Sequence, residues 1–450
     1  MNLIRLRKGC FHFHTEETEV FPVAKFGSTQ VGRFSVHVLP TTQFRTRHIN
    51  IKLVHQMTRQ DVTQAAILPY LWMEGTVQFK SSRLLMQKAD DLFGAVVRTG
   101  VGKRGDRQIV ETYVSVPEEV SLSGAEGLFE QGKDLAMEVL LHPLTVDGVF
   151  PRQHVERELA LHQKRIESIV DDKIAFAIER CMSEVCRGTA AGLPRLGFLE
   201  DLDSITPVTL YETYNRILSE SEIHIYVVGQ IDETEALKEN ILNVLLKDTG
   251  NHSTFTRKPL SPLSTEQRSS QTVVDRQDVT QGKLNLGYRT GISYAHQLYP
   301  AGLVMNGILG SFPHSKLFVN VREKESLAYF ASSRLDSATG ALAIQTGIEI
   351  NNYDKALKII LQQIKDIQEG KITEQEMDFT KRGLTNQYKQ LVDQPTALID
   401  MHFNGLLAGH DRDIPTLLEQ ISGVSTDSVI EAANHLQLDT IYFLTNMEEV

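Results

Sequence analysis

An internal repeat constrains the fold of this 450-residue chain more than any other feature of its sequence. Three corresponding pairs are separated by 233 positions: Leu53 and Leu286, Ser82 and Ser315, and Ala95 and Ala328. Three later pairs are separated by 222 positions: His154 and Glu376, Val170 and Val392, and Asp171 and Asp393. The offset changes between Ala95 and Phe150, where residues 100–107 predict an elongated, exposed hairpin in the first copy only. A duplicated α+β unit is the economical interpretation.

The secondary-structure pattern divides the chain into two units and a linker. Residues 10–14, 34–38 and 49–53 alternate in polarity like half-buried strands, and residues 61–95 carry helical periodicity. Residues 249–271 have almost no apolar periodicity and contain two prolines, which predicts an extended or mobile linker. Because 450 residues are many for one hydrophobic core, we expect a first domain over 1–248, a linker over 249–271 and a second domain over 272–450.

The most strongly patterned stretch of the second unit is LGSFPHSKLFVNVREKESLAYF, residues 309–330. Leu317, Phe318 and Val321 recur at helical spacing, and residues 327–330 resemble the start of a buried strand. Pro313 breaks the chain before Ser315, a plausible helix N-cap. The stretch therefore predicts a loop, a helix and a strand.

This stretch resembles the C-terminal-domain signature of the pitrilysin/insulinase metallopeptidase family, usually LGGG, then SRLF, then LREKxGLAY. The resemblance implies that Arg322 and Tyr329 bind the backbone of a peptide substrate. It also implies an α+β fold of two homologous pitrilysin-like α/β-roll domains that form half of a clamshell. Two positions depart from the signature: the glycine run is reduced to Gly310, and Ser326 replaces the glycine before Leu-Ala-Tyr.

Catalytic members of that family carry an H-x-x-E-H zinc motif on a helix shortly before a Gly-Thr pair. Aligning that pair with Gly75 and Thr76 puts the motif on residues 66–70. Ala66 and Tyr70 then replace the two histidines, and Pro69 replaces the glutamate that acts as general base. The alignment predicts no catalytic residue and no bound metal on this chain.

The family's third zinc ligand, a distal glutamate, corresponds to Glu156 or, as a second choice, Glu158. Catalytic zinc normally needs three protein ligands, so Glu156 alone would be vestigial, and an acidic helix face paired with arginines is the alternative. His154, Glu158 and His162 span roughly 12 Å along one helix, too far for one ion. His12 and His14 share a predicted strand face, where we expect them to face solvent.

Composition excludes several classes of protein. A net charge of -11 disfavours a nucleic-acid binder, and no stretch approaches the roughly 20 apolar residues of a membrane span. Three sparse cysteines and the absence of a signal peptide favour a cytoplasmic location, with Cys181 and Cys186 buried on a helix. We find no HExxH, GxSxG, Walker or GxGxxG motif.

The resemblance therefore implies a catalytically silent subunit that encloses peptide substrate while a zinc-bearing paralogous peptidase supplies the metal. The chain is most similar to the non-catalytic partner in bacterial pairs associated with elongation factor P modification. Two alternatives remain open: a freestanding peptide-binding or scaffold protein, possible as a homodimer, and an active metallopeptidase with an unrecognised metal site.

Overall fold

The structure, a computed structural model, describes residues 25–119, 123–250, 257–266 and 268–447. The strands of the described residues are β1 Gly27–Val31, β2 Phe34–Pro40, β3 Thr46–Gln56, β4 Val96–Arg104, β5 Arg107–Pro117, β6 Glu222–Gly229, β7 Gln271–Arg276, β8 Gly282–Arg289, β9 Ala328–Asp336, β10 Ala341–Ile348 and β11 Gln437–Thr445. The helices are α1 Val62–Trp72, α2 Ser82–Asp91, α3 Leu128–Leu141, α4 Arg152–Asp171, α5 Lys173–Val185, α6 Pro207–Glu220, α7 Thr234–Thr249, α8 Tyr299–Asn306, α9 Tyr353–Gln368, α10 Glu374–Leu391, α11 Pro395–Ala408, α12 Ile414–Ser422 and α13 Thr426–Asn434.

Two sheets repeat one topology. The first sheet has the order β1-β2-β6-β3-β5-β4 and the second has β7-β11-β8-β10-β9. Apart from the extra edge strand β1, each strand of the first sheet has a counterpart in the second. The parallel pair β2–β6 corresponds to the parallel pair β7–β11, and the remaining corresponding pairs are antiparallel. The α+β class and the duplication predicted from the sequence are therefore confirmed.

Alternating side chains give each sheet one apolar face and one contact face. On β3, Ile49, Ile51 and Leu53 enter the first hydrophobic core, which helices α1, α3, α6 and α7 complete. The residues between them point to the opposite face, where Lys52 forms ion pairs with Glu111 and with a residue of α11. The second sheet has its own core against α8, α9, α12 and α13.

The two halves exchange a helix. Helix α5 follows the helices of the first half but packs on the second sheet, where Cys181 lies against Tyr442 and Leu444. Helix α11 follows the helices of the second half but packs on the first sheet, where Phe403 lies against Tyr226. These two helices begin 222 residues apart, which is the offset of the sequence repeat. The reciprocal exchange joins the halves through two buried contacts.

The hairpin predicted at residues 100–107 forms, as β4 and β5, but the prediction that it is exposed is wrong. Its tip packs against other parts of the chain, because Lys103 Nζ donates hydrogen bonds to the carbonyls of Ala191 and Leu193, at 2.9 Å each. Arg104 Nε also donates to Asn404 Oδ1 of α11 at 3.0 Å. The extra length of the first copy therefore contributes to the contact between the halves.

The predicted linker has neither helix nor strand between residues 257 and 266. It is nevertheless held to the second half, since the amide of Leu260 donates to the carbonyl of Leu407 and the amide of Leu263 donates to the carbonyl of Thr339, at 2.8 Å each. The Leu263 side chain is buried. The described part of this segment is thus extended and anchored.

Three further expectations concern a strand, membrane spans and the cysteines. The strand predicted at residues 10–14, with His12 and His14, lies outside the described residues. Within the described ranges, no helix combines the length and the apolar character needed to cross a membrane. Cys181 and Cys186 are both buried and unbonded.

Candidate functional site

Helix α1 carries the positions of the altered zinc motif and is buried on most sides. Ala66 is fully buried and packs against Val101 and Leu196. Pro69 lies inside the helix and has no amide hydrogen, so it breaks the ladder of helical hydrogen bonds. Its carbonyl accepts a hydrogen bond from Thr99 Oγ1 of β4 at 2.5 Å. The helix is therefore fixed to the edge of the first sheet, with no ligand at positions 66 and 69.

An arginine lies beside the third altered position. The guanidinium of Arg165, on α4, stacks on the ring of Tyr70 with its carbon 3.7 Å from the ring centroid. Both terminal nitrogens of Arg165 donate to Glu158 Oε2 at 3.1 Å. The Glu158 side chain is only 4% exposed, so its negative charge needs this internal cation. A stacked and paired arginine thus sits between α1 and α4.

Glu156 faces the other way. Its side chain is 59% exposed and accepts a hydrogen bond from Arg152 Nε at 2.7 Å, one helical turn away. Of the two glutamates considered from the sequence, Glu158 is therefore the one connected to Tyr70. His162 is also buried, and its Nε2 bonds the carbonyl of Leu196. Burial lowers the pKa of His162 to about 4, so its ring is neutral at pH 7.

These residues do not fit a zinc ion. Ala66 and Pro69 offer no donor atoms, Tyr70 is covered by a cation, and the Glu158 carboxylate is already paired. Across the described residues, no group of three or more histidine, cysteine, aspartate or glutamate side chains could hold a metal ion. The arginine was missed in the sequence because it lies seven positions beyond Glu158, where only the packing of α4 on α1 brings it to Tyr70.

The second candidate group lies on the second half. Arg322 lies in a wide helical segment of π type, Phe318–Lys324. Such segments are rare in proteins, but those that occur are often at functional sites. Its side chain is exposed, and its guanidinium carbon lies 4.5 Å from the centroid of the Phe318 ring. Tyr329 is 65% exposed. Both side chains therefore present hydrogen-bonding groups to solvent.

A bulge in β9 explains why Tyr329 protrudes. Ala328 pairs with Ile348 and Phe330 pairs with Gly347, so Tyr329 has no partner across the ladder. The turn before this strand needs a left-handed residue, because Ser326 has φ +51°. The family signature has glycine there, the residue that adopts this conformation at least cost.

Gly310 remains from the glycine run for a different reason. A Cβ atom at this buried position would lie 2.5 Å from the backbone nitrogen of Ser333 on β9. The wide turn Gly307–Ser311 therefore packs directly on the backbone of the strand that carries Tyr329.

Arg322 and Tyr329 belong to this second-half arrangement, whereas Ala66, Pro69, Tyr70 and Glu156 belong to α1 and α4 of the first half.

Replacing Ser326 by glycine should stabilise the protein by about 1 kcal/mol. A non-glycine residue in the left-handed region costs roughly 1–2 kcal/mol, and the added chain entropy of glycine in the unfolded state offsets part of the gain. Denaturant unfolding of Ser326→Gly checks this. The control Ser326→Ala keeps the unfavourable backbone conformation and should not stabilise, and a gain for both variants would contradict the explanation.

A family model and a sequence relative both match inactive members of a peptidase family. Residues 204–384 match the family model described as the peptidase M16 inactive domain. The chain is 33% identical over 426 residues to the "Probable inactive metalloprotease YmfF" of Bacillus subtilis (strain 168), covering 93% of this chain and 97% of that one.

Solved structures agree with the sequence matches. A conserved protein from Enterococcus faecalis V583 superposes with a TM-score of 0.83 at 28% identity, covering 95% of this chain and 100% of that one. A peptidase M16 inactive domain from Pseudomonas fluorescens superposes with a TM-score of 0.75 at 17% identity, covering 94% and 98%. The likeness at 17% identity carries the fold alone.

Proposed function

Because the chain belongs to the M16 (pitrilysin/insulinase) peptidase family and is a non-catalytic member of it, we propose that it is the substrate-binding subunit of a heterodimeric zinc peptidase. In this proposal a paralogous subunit supplies the zinc site, and this chain binds and helps enclose a peptide. The observation that carries the proposal is the pair Arg322 and Tyr329, both exposed in the stretch that resembles the family signature.

The chemistry of these two side chains suits an extended peptide. A guanidinium stays charged and presents several donors in a fixed plane, which can bind backbone carbonyl oxygens. The ring of Phe318 supports the Arg322 guanidinium from one side. A phenol can both donate and accept, so Tyr329 can bind either a carbonyl or an amide. Together they provide backbone recognition without a demand on side-chain sequence.

The domain division belongs to the same proposal. We take residues 1–248 and 272–450 as the two pitrilysin-like domains of one clamshell half, joined by 249–271. A second half from the paralogue would complete a chamber around the peptide, in the cytoplasm. The separate sheets of the two units support this division, although α5 and α11 each pack on the sheet of the other unit.

The test combines this chain with an H-x-x-E-H paralogue encoded beside it and measures peptide cleavage by each subunit and by the mixture. We expect cleavage to depend on the mixture, and Arg322→Ala to lower its kcat/KM about tenfold to a hundredfold. That range corresponds to the roughly 1.5–3 kcal/mol of a hydrogen bond to a charged group. Arg382→Ala is the control, because Arg382 is an exposed arginine of α10 paired with Asp378.

Other results would select the alternatives. If Arg322→Ala weakens peptide binding by this chain but does not change the cleavage rate of any paralogue mixed with it, the chain is a freestanding peptide-binding or scaffold protein. Stoichiometric zinc in the purified chain, together with cleavage by the chain alone, would identify an active metallopeptidase with a different metal site. Equal cleavage in mixtures with either arginine variant would contradict the role of Arg322.

A further inference from the structure

Three histidines meet where α11 packs on the first sheet. His37 comes from β2, His224 from β6 and His402 from α11, so two halves of the chain contribute. The rings of His37 and His402 lie 5.0 Å apart between centroids, and those of His37 and His224 lie 5.4 Å apart. The side chains of His37 and His224 are almost fully buried. No role in the function proposed above has been assigned to them.

The hydrogen bonds of this cluster run in one direction. Ser28 Oγ lies 2.7 Å from His37 Nδ1, His37 Nε2 lies 3.1 Å from His224 Nδ1, and His224 Nε2 lies 3.3 Å from Glu222 Oε2. The carboxylate of Glu222 can only accept, so His224 carries its hydrogen on Nε2, and His37 then donates from Nε2. The Ser28 hydroxyl then donates to Nδ1 of His37 at the start of this series of hydrogen bonds. The arrangement satisfies every nitrogen of both rings while both are neutral.

The arrangement cannot hold a charge on both rings. A single proton on His224 Nδ1 requires His37 to move its hydrogen to Nδ1 and donate it to Ser28 Oγ, whereas protonation of both rings points two N–H groups at each other across 3.1 Å. His402 Nδ1 lies 3.1 Å from the buried hydroxyl of Tyr226, and its ring is next to His37. The contact between α11 and the first sheet therefore does not admit charges on all three imidazoles.

The charges around the cluster favour the neutral state. Three cations and three carboxylates surround it from four elements, the loop after α11 and the linker: Lys52, Lys238, Arg257, Glu222, Asp400 and Asp411. Burial lowers the pKa of all three histidines, and for His402 it does so to about 4. Arg257 lowers the pKa of each further, whereas Glu222 and Asp411 only partly oppose this for His224 and His402.

We propose that the contact of α11 with the first sheet, which joins the two halves, is pH-sensitive and opens when His37, His224 and His402 gain protons. A histidine freed from this contact titrates near 6.5, above its value in the closed form. The open form therefore binds more protons between about pH 6.5 and pH 4, and closure weakens as pH falls through that range. Each histidine adds up to about tenfold per pH unit to the opening constant.

Hydrogen exchange of the full chain tests this inference, which does not rest on the proposed function. Exchange of α11 and of α9 is measured near pH 7 and near pH 5, corrected for intrinsic exchange rates. Each released histidine contributes up to about 25-fold between these pH values, so we expect the opening constant of α11 to rise on the order of 10⁴-fold when all three are released. Helix α9 packs in the second core away from the histidines, so its protection should change much less.

Variants assign the effect to the cluster. His402→Gln keeps a hydrogen-bonding side chain that does not titrate, and it should reduce the pH dependence of α11 by about tenfold per pH unit. The control His142→Gln changes a half-buried histidine paired with Asp248 outside the cluster, and it should leave the pH dependence of α11 unchanged. Equal loss of protection in α9 and α11 of the unmodified chain would overturn the inference, as would an unchanged pH dependence in His402→Gln.

Discussion

Replacing Arg289 by alanine should lower the free energy of unfolding by about 3–5 kcal/mol. Arg289 and Asp439 form an ion pair at 2.9 Å, and both side chains are at most 3% exposed. Arg289 also donates to the carbonyl of Val185 at the end of α5 and to the carbonyl of Ser264 in the linker segment. Its loss would leave the Asp439 carboxylate buried without its partner and remove the bonds to α5 and the linker.

Denaturant unfolding of Arg289→Ala measures this loss. The double variant Arg289→Met with Asp439→Leu separates the cost of the unpaired charge from the value of the pair, because it removes both charges and fills the space. We expect the double variant to recover most of the stability. Arg382→Ala, at the exposed pair on α10, should change stability by less than about 1 kcal/mol. A loss of that small size for Arg289→Ala would mean that this buried ion pair contributes little to the stability of the protein.

Much of the fold could be predicted because it depends on local patterns. The family and the α+β fold of two pitrilysin-like units are confirmed by the relatives and by the repeated sheets. The strands around Phe34 and Ile51 follow from alternation, and the offset of 222 anticipates the correspondence of α5 and α11. What periodicity cannot give is which sheet a helix packs on. That choice depends on the contacts of residues far apart in sequence, such as Cys181 with Tyr442.

The errors and omissions have the same origin. The hairpin around Gly105 has the glycine and charge content of an exposed turn, yet Lys103 and Arg104 find carbonyl and amide partners elsewhere in the chain. Charged side chains indicate exposure only when no such partner exists. For the candidate site, the motif identified the altered positions but could not show that Arg165 covers Tyr70. The binding roles of Arg322 and Tyr329, and the ligand role of Glu156, stay predictions.

Restoring the zinc motif should require four substitutions, because Arg165 pairs with Glu158, the buried one of the two candidates for the third ligand. The triple variant Ala66→His, Pro69→Glu and Tyr70→His supplies two histidines and a base on α1, and it also removes the proline from the helix. In this variant Arg165 still pairs with Glu158 and places a positive charge beside the site. We therefore expect no stoichiometric zinc in the triple variant.

Adding Arg165→Leu should free the Glu158 carboxylate and allow zinc to bind with a Kd of about 1 μM or tighter, a free energy of at least about 8 kcal/mol. Metal content and zinc titration measure the difference between the triple and quadruple variants.

Two further changes in the quadruple variant identify the third ligand. Glu158→Gln should abolish binding if the buried carboxylate is the ligand, whereas Glu156→Gln should leave it intact because Glu156 faces solvent beside Arg152. The opposite result would assign the ligand to Glu156 and require α4 to rotate on metal binding, and zinc in the triple variant would show that Arg165 is no barrier.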